Sequence, residues 1–245
     1  MSADSMAGRR AVVTGAASGI GEAVARRLVR DGLEVLAVDR AEPAVEGATP
    51  LVADLADAEA RAGVVAAANG FDYLVNAAGI IRLVPILETT PEDWRDIFAV
   101  NAEAVFFLCQ QLGPRLEPGG SIVNLSSTSA KSSGTTEAAI YAASKAAVIS
   151  MTRSFAYALA SRPVRVNAVC PGITDTPMQE KVLHEIAAIR GTTYEELSQG
   201  RLTAVPLART SSPDEAAGLI RFLLSPEAGY MTGQAINFSG GLVMW

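Results

Sequence analysis

Apolar residues along this chain alternate between two periods. Short β-branched runs bounded by glycine, proline or small polar residues read as strands: RAVVTG (10–15), LEVLAVD (33–39), TPLVAD (49–54), FDYLVNAAG (71–79), GSIVNLSS (120–127), RVNAVCPG (165–172) and GQAINFSGG (233–241). Between them lie stretches with apolar positions at helical spacing: GIGEAVARRLVRDG (19–32), DAEARAGVVAAAN (57–69), PEDWRDIFAVNAEAVFFLCQQLGPRL (91–116, with a kink near Asn101), AAIYAASKAAVISMTRSFAYALAS (138–161) and the proline-initiated SPDEAAGLIRFLLSP (212–226). Residues 175 to about 205 are more polar and less regular. Strands alternating with helices of this length predict an α/β fold, a doubly wound parallel sheet of about seven strands covered by helices on both faces. No linker, repeat or low-complexity tract interrupts the series, so a single Rossmann-type domain over 1–245 is expected, with a flexible start at 1–8.

In such a sheet, ligands bind outside the carboxyl ends of the strands, and the chemistry-bearing residues gather there. After the first strand comes TGAASGIG, where Gly15, Gly19 and Gly21 lead into a helix. Glycines at that place permit a tight turn and let backbone N–H groups approach a pyrophosphate, which a helix N-terminus also favours. Asp39 ends the second strand, where a carboxylate suits the hydroxyls of an adenosine ribose and meets a 2′-phosphate as a like charge. The expected cofactor is therefore NAD, with Arg40 beside Asp39 as the complication, since arginines accept phosphates. A structural turn followed by a solvated aspartate is the plainer reading of the same residues.

Tyr141 and Lys145, in AAIYAASKAA, stand four positions apart and so on one helix face. A free phenol has a pKa of about 10, and a cation within about 4 to 6 Å lowers a pKa by roughly 1 to 3 units. On this pair alone, an amphipathic helix with one aromatic and one solvated lysine explains the spacing equally well.

Composition narrows the function classes. With 245 residues, 49% of them hydrophobic and 19% charged, the chain is long and apolar enough for a sizeable core. A net charge of −6 without a basic run argues against nucleic acid and for a small-molecule substrate. No apolar stretch approaches the roughly 20 residues of a membrane span, and MSADSMAGRR lacks the apolar centre of a secretion signal. No membrane partner and a cytoplasmic location are expected. Cys109 and Cys170 sit in apolar surroundings as buried hydrophobes. The single histidine, His184, lies in what reads as an exposed helix, and no metal site is expected.

Seven ordered motifs carry a resemblance over residues 8 to 243. They are TGAASGIG, Asp54 in ADLAD, NAAG (76–79), Asn101 in FAVNAE, IVNLSS (122–127), YAASK (141–145) and PGITDT (171–176). The chain resembles the short-chain dehydrogenase/reductases. That resemblance implies a catalytic four of Asn101, Ser127, Tyr141 and Lys145. Tyr141 would be the proton-transfer group and Lys145 the cation that tunes it and reaches the nicotinamide ribose; Ser127 would bind the substrate oxygen, and Asn101 would hold the kink and a relay water. Ser126 and Ser129 compete with Ser127, because the serine to tyrosine spacing is one residue longer than in many relatives. The cofactor set implied is Gly15, Ser18, Gly19, Ile20, Gly21, Asp39, Asp54, Leu55, Asn76, Ala77, Gly79, Tyr141, Lys145, Pro171, Gly172, Ile173, Thr174 and Thr176. Asp54 would meet the adenine end, and Ile173 and Thr174 the carboxamide. Residues 175–205 stand where the family carries a substrate lid.

The implied activity is hydride transfer between nicotinamide C4 and a small secondary alcohol or polyol, or its ketone. A dihydrodiol dehydrogenase acting on dihydroxybenzoate precursors and a 3-oxoacyl-carrier-protein reductase share these motifs, and a non-catalytic dinucleotide sensor is the alternative of another class. Relatives of this kind pair through the last strand and through the helices around AVFFLCQQL and MTRSFAYAL. A homotetramer is expected.

Overall fold

The computed structural model describes residues 6–68, 70–132 and 135–245. Seven strands form one sheet: β1 (Arg10–Thr14), β2 (Glu34–Asp39), β3 (Thr49–Val52), β4 (Tyr73–Asn76), β5 (Ser121–Leu125), β6 (Arg165–Pro171) and β7 (Ala235–Phe238). Their order is β3-β2-β1-β4-β5-β6-β7 and every pairing is parallel. The chain reverses its winding direction between β1 and β4, so the loops leaving those two strands flank a crevice at the carboxyl edge.

The helices are α1 (Gly19–Arg30), α2 (Ala58–Ala67), α3 (Pro91–Phe98), α4 (Ala104–Leu112), α5 (Ala139–Leu159), α6 (Pro177–Arg190), α7 (Tyr194–Thr203) and α8 (Pro213–Leu224). One apolar layer joins α1 and α8 to the sheet through Leu28, Val24, Ile220 and Leu223. The other joins α2, α4 and α5 through Val64, Leu108 and Val148. Burial on both faces explains why the strands read as nearly continuous apolar runs rather than alternating ones.

Between α3 and α4 the ladder loosens into a π-helical segment, Ala99–Glu103, which is the kink expected near Asn101. The polar stretch 175–205, read as less regular apart from an exposed helix around His184, folds into α6 and α7. Pro177 follows the Thr176 cap, and Thr193 forms a capping box with Glu196. Local capping outweighs the weak apolar periodicity there. Of the expected flexible start, residues 1–5 lie outside the described residues. Met6, the first described residue, is fully buried in the layer under α1. In the loop 131–139, residues 133 and 134 also lie outside the described set. No helix among the described residues is long and apolar enough to cross a membrane.

Candidate active site

The turn after β1 is shaped by what a side chain would strike. Gly15 has φ +71°, and a Cβ on it would stand 2.6 Å from the Ala78 nitrogen; a Cβ on Gly21 would overlap the Gly15 carbonyl oxygen. The first turn of α1 is thereby drawn in under the β1 end. Ser18 forms no side-chain cap, unlike the residues that begin α2, α3, α6, α7 and α8, so the leading N–H groups of α1 keep their capacity for an anion. A Cβ on Gly19 would sit 3.2 Å from Thr176 Cγ2, so this loop faces the segment leaving β6 across a narrow gap. Ile20 packs against the core beneath. A dinucleotide's pyrophosphate fits this cradle on backbone grounds alone.

At the β2 end, the Asp39 carboxylate accepts hydrogen bonds from Ala17 N at 3.0 Å and Ala41 N at 3.2 Å, which fixes it beside the glycine turn. Arg40 is exposed. Asp54 is exposed, accepting from Ala56 N at 2.9 Å, while Leu55 is buried beneath it. Asn76 does not face the crevice: it is buried and donates to Asn124 Oδ1 at 2.8 Å, and Asn124 in turn donates to Thr152 Oγ1 at 3.0 Å. Buried at the last residue of β4, its side chain ties that strand to β5 and, through Asn124, to α5. Ala77 and Ala78 are held by their N–H groups on Thr14 Oγ1, at 3.1 and 3.2 Å. Beyond Pro171, Gly172 N bonds Phe238 O at 2.9 Å, and Thr174 Oγ1 lies 2.9 Å from Ser211 Oγ. Ile173 and Thr176 line a cavity under the lid.

The π segment, β5 and α5 bring the other four residues together. Asn101 Oδ1 accepts from Ile80 N at 2.8 Å, and its Nδ2 donates to Ile80 O at 2.9 Å and to Ser144 Oγ at 3.0 Å. Ser144 donates to the Tyr141 carbonyl at 2.7 Å, linking the kink to the start of α5. Lys145 Nζ donates to Leu125 O at 2.8 Å and lies 5.9 Å from the centroid of the Tyr141 ring. A Cβ on Gly79 would come within 3.2 Å of that Nζ. The two serines differ in their partners: Ser126 Oγ donates to the Lys145 carbonyl at 2.7 Å, whereas Ser127 Oγ accepts from Ser129 N at 3.1 Å and is the side chain that acts to lower the Tyr141 phenol.

Burial pushes the Tyr141 phenol above its ordinary value, against the Ser127 hydrogen bond, which lowers it. Burial, and not Lys145, governs the phenol in this structure. Desolvation outweighs any help from Nζ, and the same burial brings Lys145 itself down to about 8, only partly offset by Cys170.

The lid closes over this group. Val182 and Ile186 of α6 pack with Leu83 and Ala138 against Tyr141. Arg190 at the end of α6 makes a two-pronged pair with Glu137, both contacts at 2.9 Å, and Arg190 holds the Glu137 carboxyl down at about 2. His184 is exposed and stacks on Tyr194 with ring centroids 4.7 Å apart. Cys109 and Cys170 are buried and free. Among the described residues, no group of His, Cys, Asp and Glu could hold a metal ion.

Thr14, Ser144 and Ser211 escaped the sequence reading. Thr14 stood inside the glycine motif, and Ser144 lies three residues from Tyr141, so helical spacing offered a signal for it. Ser211 is joined to Thr174 by a long chain excursion that no local pattern reveals.

The family model described as enoyl-(acyl carrier protein) reductase matches residues 15–243. The 3-oxoacyl-(acyl-carrier-protein) reductase FabG of Thermotoga maritima is 37% identical, with 97% of this chain and 98% of that protein covered. Galactitol 2-dehydrogenase (L-tagatose-forming) of Cereibacter sphaeroides is 36% identical, over 97% of this chain and 96% of that one. Among solved structures, a single-site variant of actinorhodin polyketide ketoreductase with NADPH superposes with a TM-score of 0.89 at 33% identity, covering 97% of this chain and 98% of that one. Sheet order, crevice and whole-length similarity agree, and the chain belongs to the short-chain dehydrogenase/reductases, oxidoreductases that bind a nicotinamide dinucleotide.

Proposed function

We propose that this protein moves a hydride between nicotinamide C4 and a small secondary alcohol or polyol, or the corresponding ketone, with Tyr141 as the acid/base. The observation that carries this reading is Tyr141, packed under apolar lid residues with the Lys145 ammonium 5.9 Å from its ring centroid and the Ser127 hydroxyl acting on its phenol. The bound nicotinamide supplies hydride donation and acceptance. The chain's own residues supply position and the proton. In the oxidative direction Tyr141 Oη takes the proton of the substrate hydroxyl as the C–H hydride leaves, and in the reductive direction it returns that proton to the carbonyl oxygen. Ser127 Oγ holds the same oxygen. Lys145 gives the phenolate its counter-charge, and the Asn101–Ser144 link sets the height of the tyrosine on its helix. The apolar roof of Val182 and Ile186 excludes water from the reacting carbon.

The galactitol dehydrogenase relative favours a polyol, and the 3-oxoacyl reductase relative favours a carrier-bound ketone as the second reading. NAD rather than NADP is supported by Asp39, whose fixed carboxylate stands where a ribose 2′-phosphate would meet it. Two unit charges about 4 Å apart repel by roughly 4 kcal/mol at an effective dielectric of 20; solvent at this half-open site reduces that to about half, or roughly 30-fold in selectivity. The NADPH-bound neighbour shows that phosphate-accepting versions of the fold exist. We also propose a homotetramer. Tyr157 and Phe106 stand exposed on α5 and α4, Met244 and Trp245 are exposed at the end of the chain, and β7 is an edge strand.

Replacing Tyr141 by Phe removes the hydroxyl at nearly constant volume. It is expected to lower kcat by about 10² or more while NADH binding, read by fluorescence, stays within a few-fold. Retention of activity within tenfold overturns the assignment. For the cofactor, kcat/KM with NAD is expected to exceed that with NADP by about 30-fold in the wild type, and Asp39→Ser is expected to lose most of that ratio. Equal use of both by the wild type would transfer control of the site to Arg40. Light scattering at micromolar concentration is expected to return the mass of four chains, and a single-chain mass contradicts the assembly.

A further inference from the structure

The lid holds a cation without a partner. Arg61, Arg82, Arg190 and Arg221 each meet a carboxylate, at 2.7 to 2.9 Å. Arg201, on α7, meets none: no hydrogen bond or ion pair joins its guanidinium to a described residue, and Nη1 is buried without a partner. Across from it on α6, Gln179 Oε1 is buried and unpartnered too. Both line a cavity of about 370 Å³ between α6, α7 and the 173–176 segment. Two unmet polar groups of this kind beside one cavity cost free energy unless a partner is supplied.

The rest of the wall suits a small polar molecule. Tyr194, Ser198, Arg201 and Leu202, at helical spacing, all line the cavity from α7, and Gln179 and Leu183 do so from α6. Asp175 and Glu180 are exposed on the same wall, and Asp175 Oδ2 accepts from the Thr210 hydroxyl at 2.7 Å. Neither pairs with Arg201. A guanidinium binds carboxylate and phosphate through two parallel N–H donors, and being only weakly hydrated it tolerates partial burial better than an ammonium. Burial lowers the proton affinity of Arg201, but a guanidinium remains charged in a protein.

We propose that the cavity between α6 and α7 is an oxyanion site, in which Arg201 holds a carboxylate or phosphate group and Gln179 Oε1 accepts from a hydroxyl of the same molecule. An oxyanion there has two sources. One is the substrate, which would then be a hydroxy acid or phosphorylated polyol with its hydroxyls towards Asp175 and Glu180. The other is the dinucleotide's pyrophosphate, since Ile173 and Thr176 border the same space. The substrate assignment rests on the proposed activity; the oxyanion site does not.

The test has a binding arm and a kinetic arm, on wild type, Arg201→Gln and the charge-keeping Arg201→Lys. Inorganic phosphate is titrated calorimetrically with and without saturating NAD. Sorbitol against gluconate, and glycerol against glycerate, are compared by kcat/KM. Phosphate affinity is expected to fall tenfold or more in Arg201→Gln and to be largely kept in Arg201→Lys. A substrate-borne oxyanion predicts that phosphate still binds the NAD-saturated wild type and that the acid of each pair is preferred about tenfold, a preference lost in Arg201→Gln with NAD affinity unchanged. A cofactor-borne oxyanion predicts that NAD displaces the phosphate and that Arg201→Gln weakens NAD itself. Phosphate affinity equal in all three proteins overturns the site. Phosphate binding through Arg201 without turnover of any alcohol or ketone keeps the site and overturns the proposed activity instead.

Discussion

The site is organised by one buried ammonium group. Lys145 is only 3% exposed, and an ammonium withdrawn from water must find compensating oxygen or surrender its proton. Its compensation is the Leu125 carbonyl at 2.8 Å, one residue beyond the end of the β4–β5 register at Asn124. Glycine at position 79 leaves Nζ room, since a Cβ there would come within 3.2 Å of it. The next residue, Ile80, has both its backbone groups claimed by Asn101, which reaches them only because the helix relaxes into its π turn. Ser126 closes the circuit by holding the lysine's own carbonyl. Ser127, the next residue along, is left to meet the tyrosine.

That circuit needs strands that all end at one level, and a parallel sheet delivers this. β1, β4, β5 and β6 are paired side by side, so the glycine turn, the NAAG segment, the two serines and the PGITDT segment leave the sheet along one edge. Asn76, Asn124 and Thr152 form a buried chain of hydrogen bonds that fixes β4, β5 and α5 relative to one another. In a low-dielectric interior such a chain tolerates little displacement. The rigidity beneath the crevice and the open polar edge above it are consequences of the same pairing.

Much of this was legible in the sequence because the signals are local. A β-branched run ending in glycine specifies a strand and its turn, and Gly15 and Gly21 occupy positions where any side chain would collide. The helix break at Asn101 was legible for a similar reason. In residues 175–205 the helix around His184 was legible, whereas α7, set by the cap at Thr193, is not announced by apolar spacing. The inward turn of Asn76 and the junction of Thr174 with Ser211 depend on which elements meet, and sequence spacing carries no information about that. The burial that raises the Tyr141 phenol is a property of the whole packed chain, which helical spacing to Lys145 does not carry. Arg201 was visible as an arginine, but only the packed lid reveals that nothing pairs with it.

The account stands most directly on the state of Lys145. In protein labelled with carbon-13 at lysine Cε and assigned by the Lys145→Met variant, its resonance can be followed from pH 6 to 11 without added dinucleotide. The structure predicts a midpoint at about 8, well below an ordinary lysine, because burial penalises the charged form. A midpoint near about 10.4, the value of a solvated side chain, would mean that Lys145 is open to water, and the arrangement built around it would not be the one described.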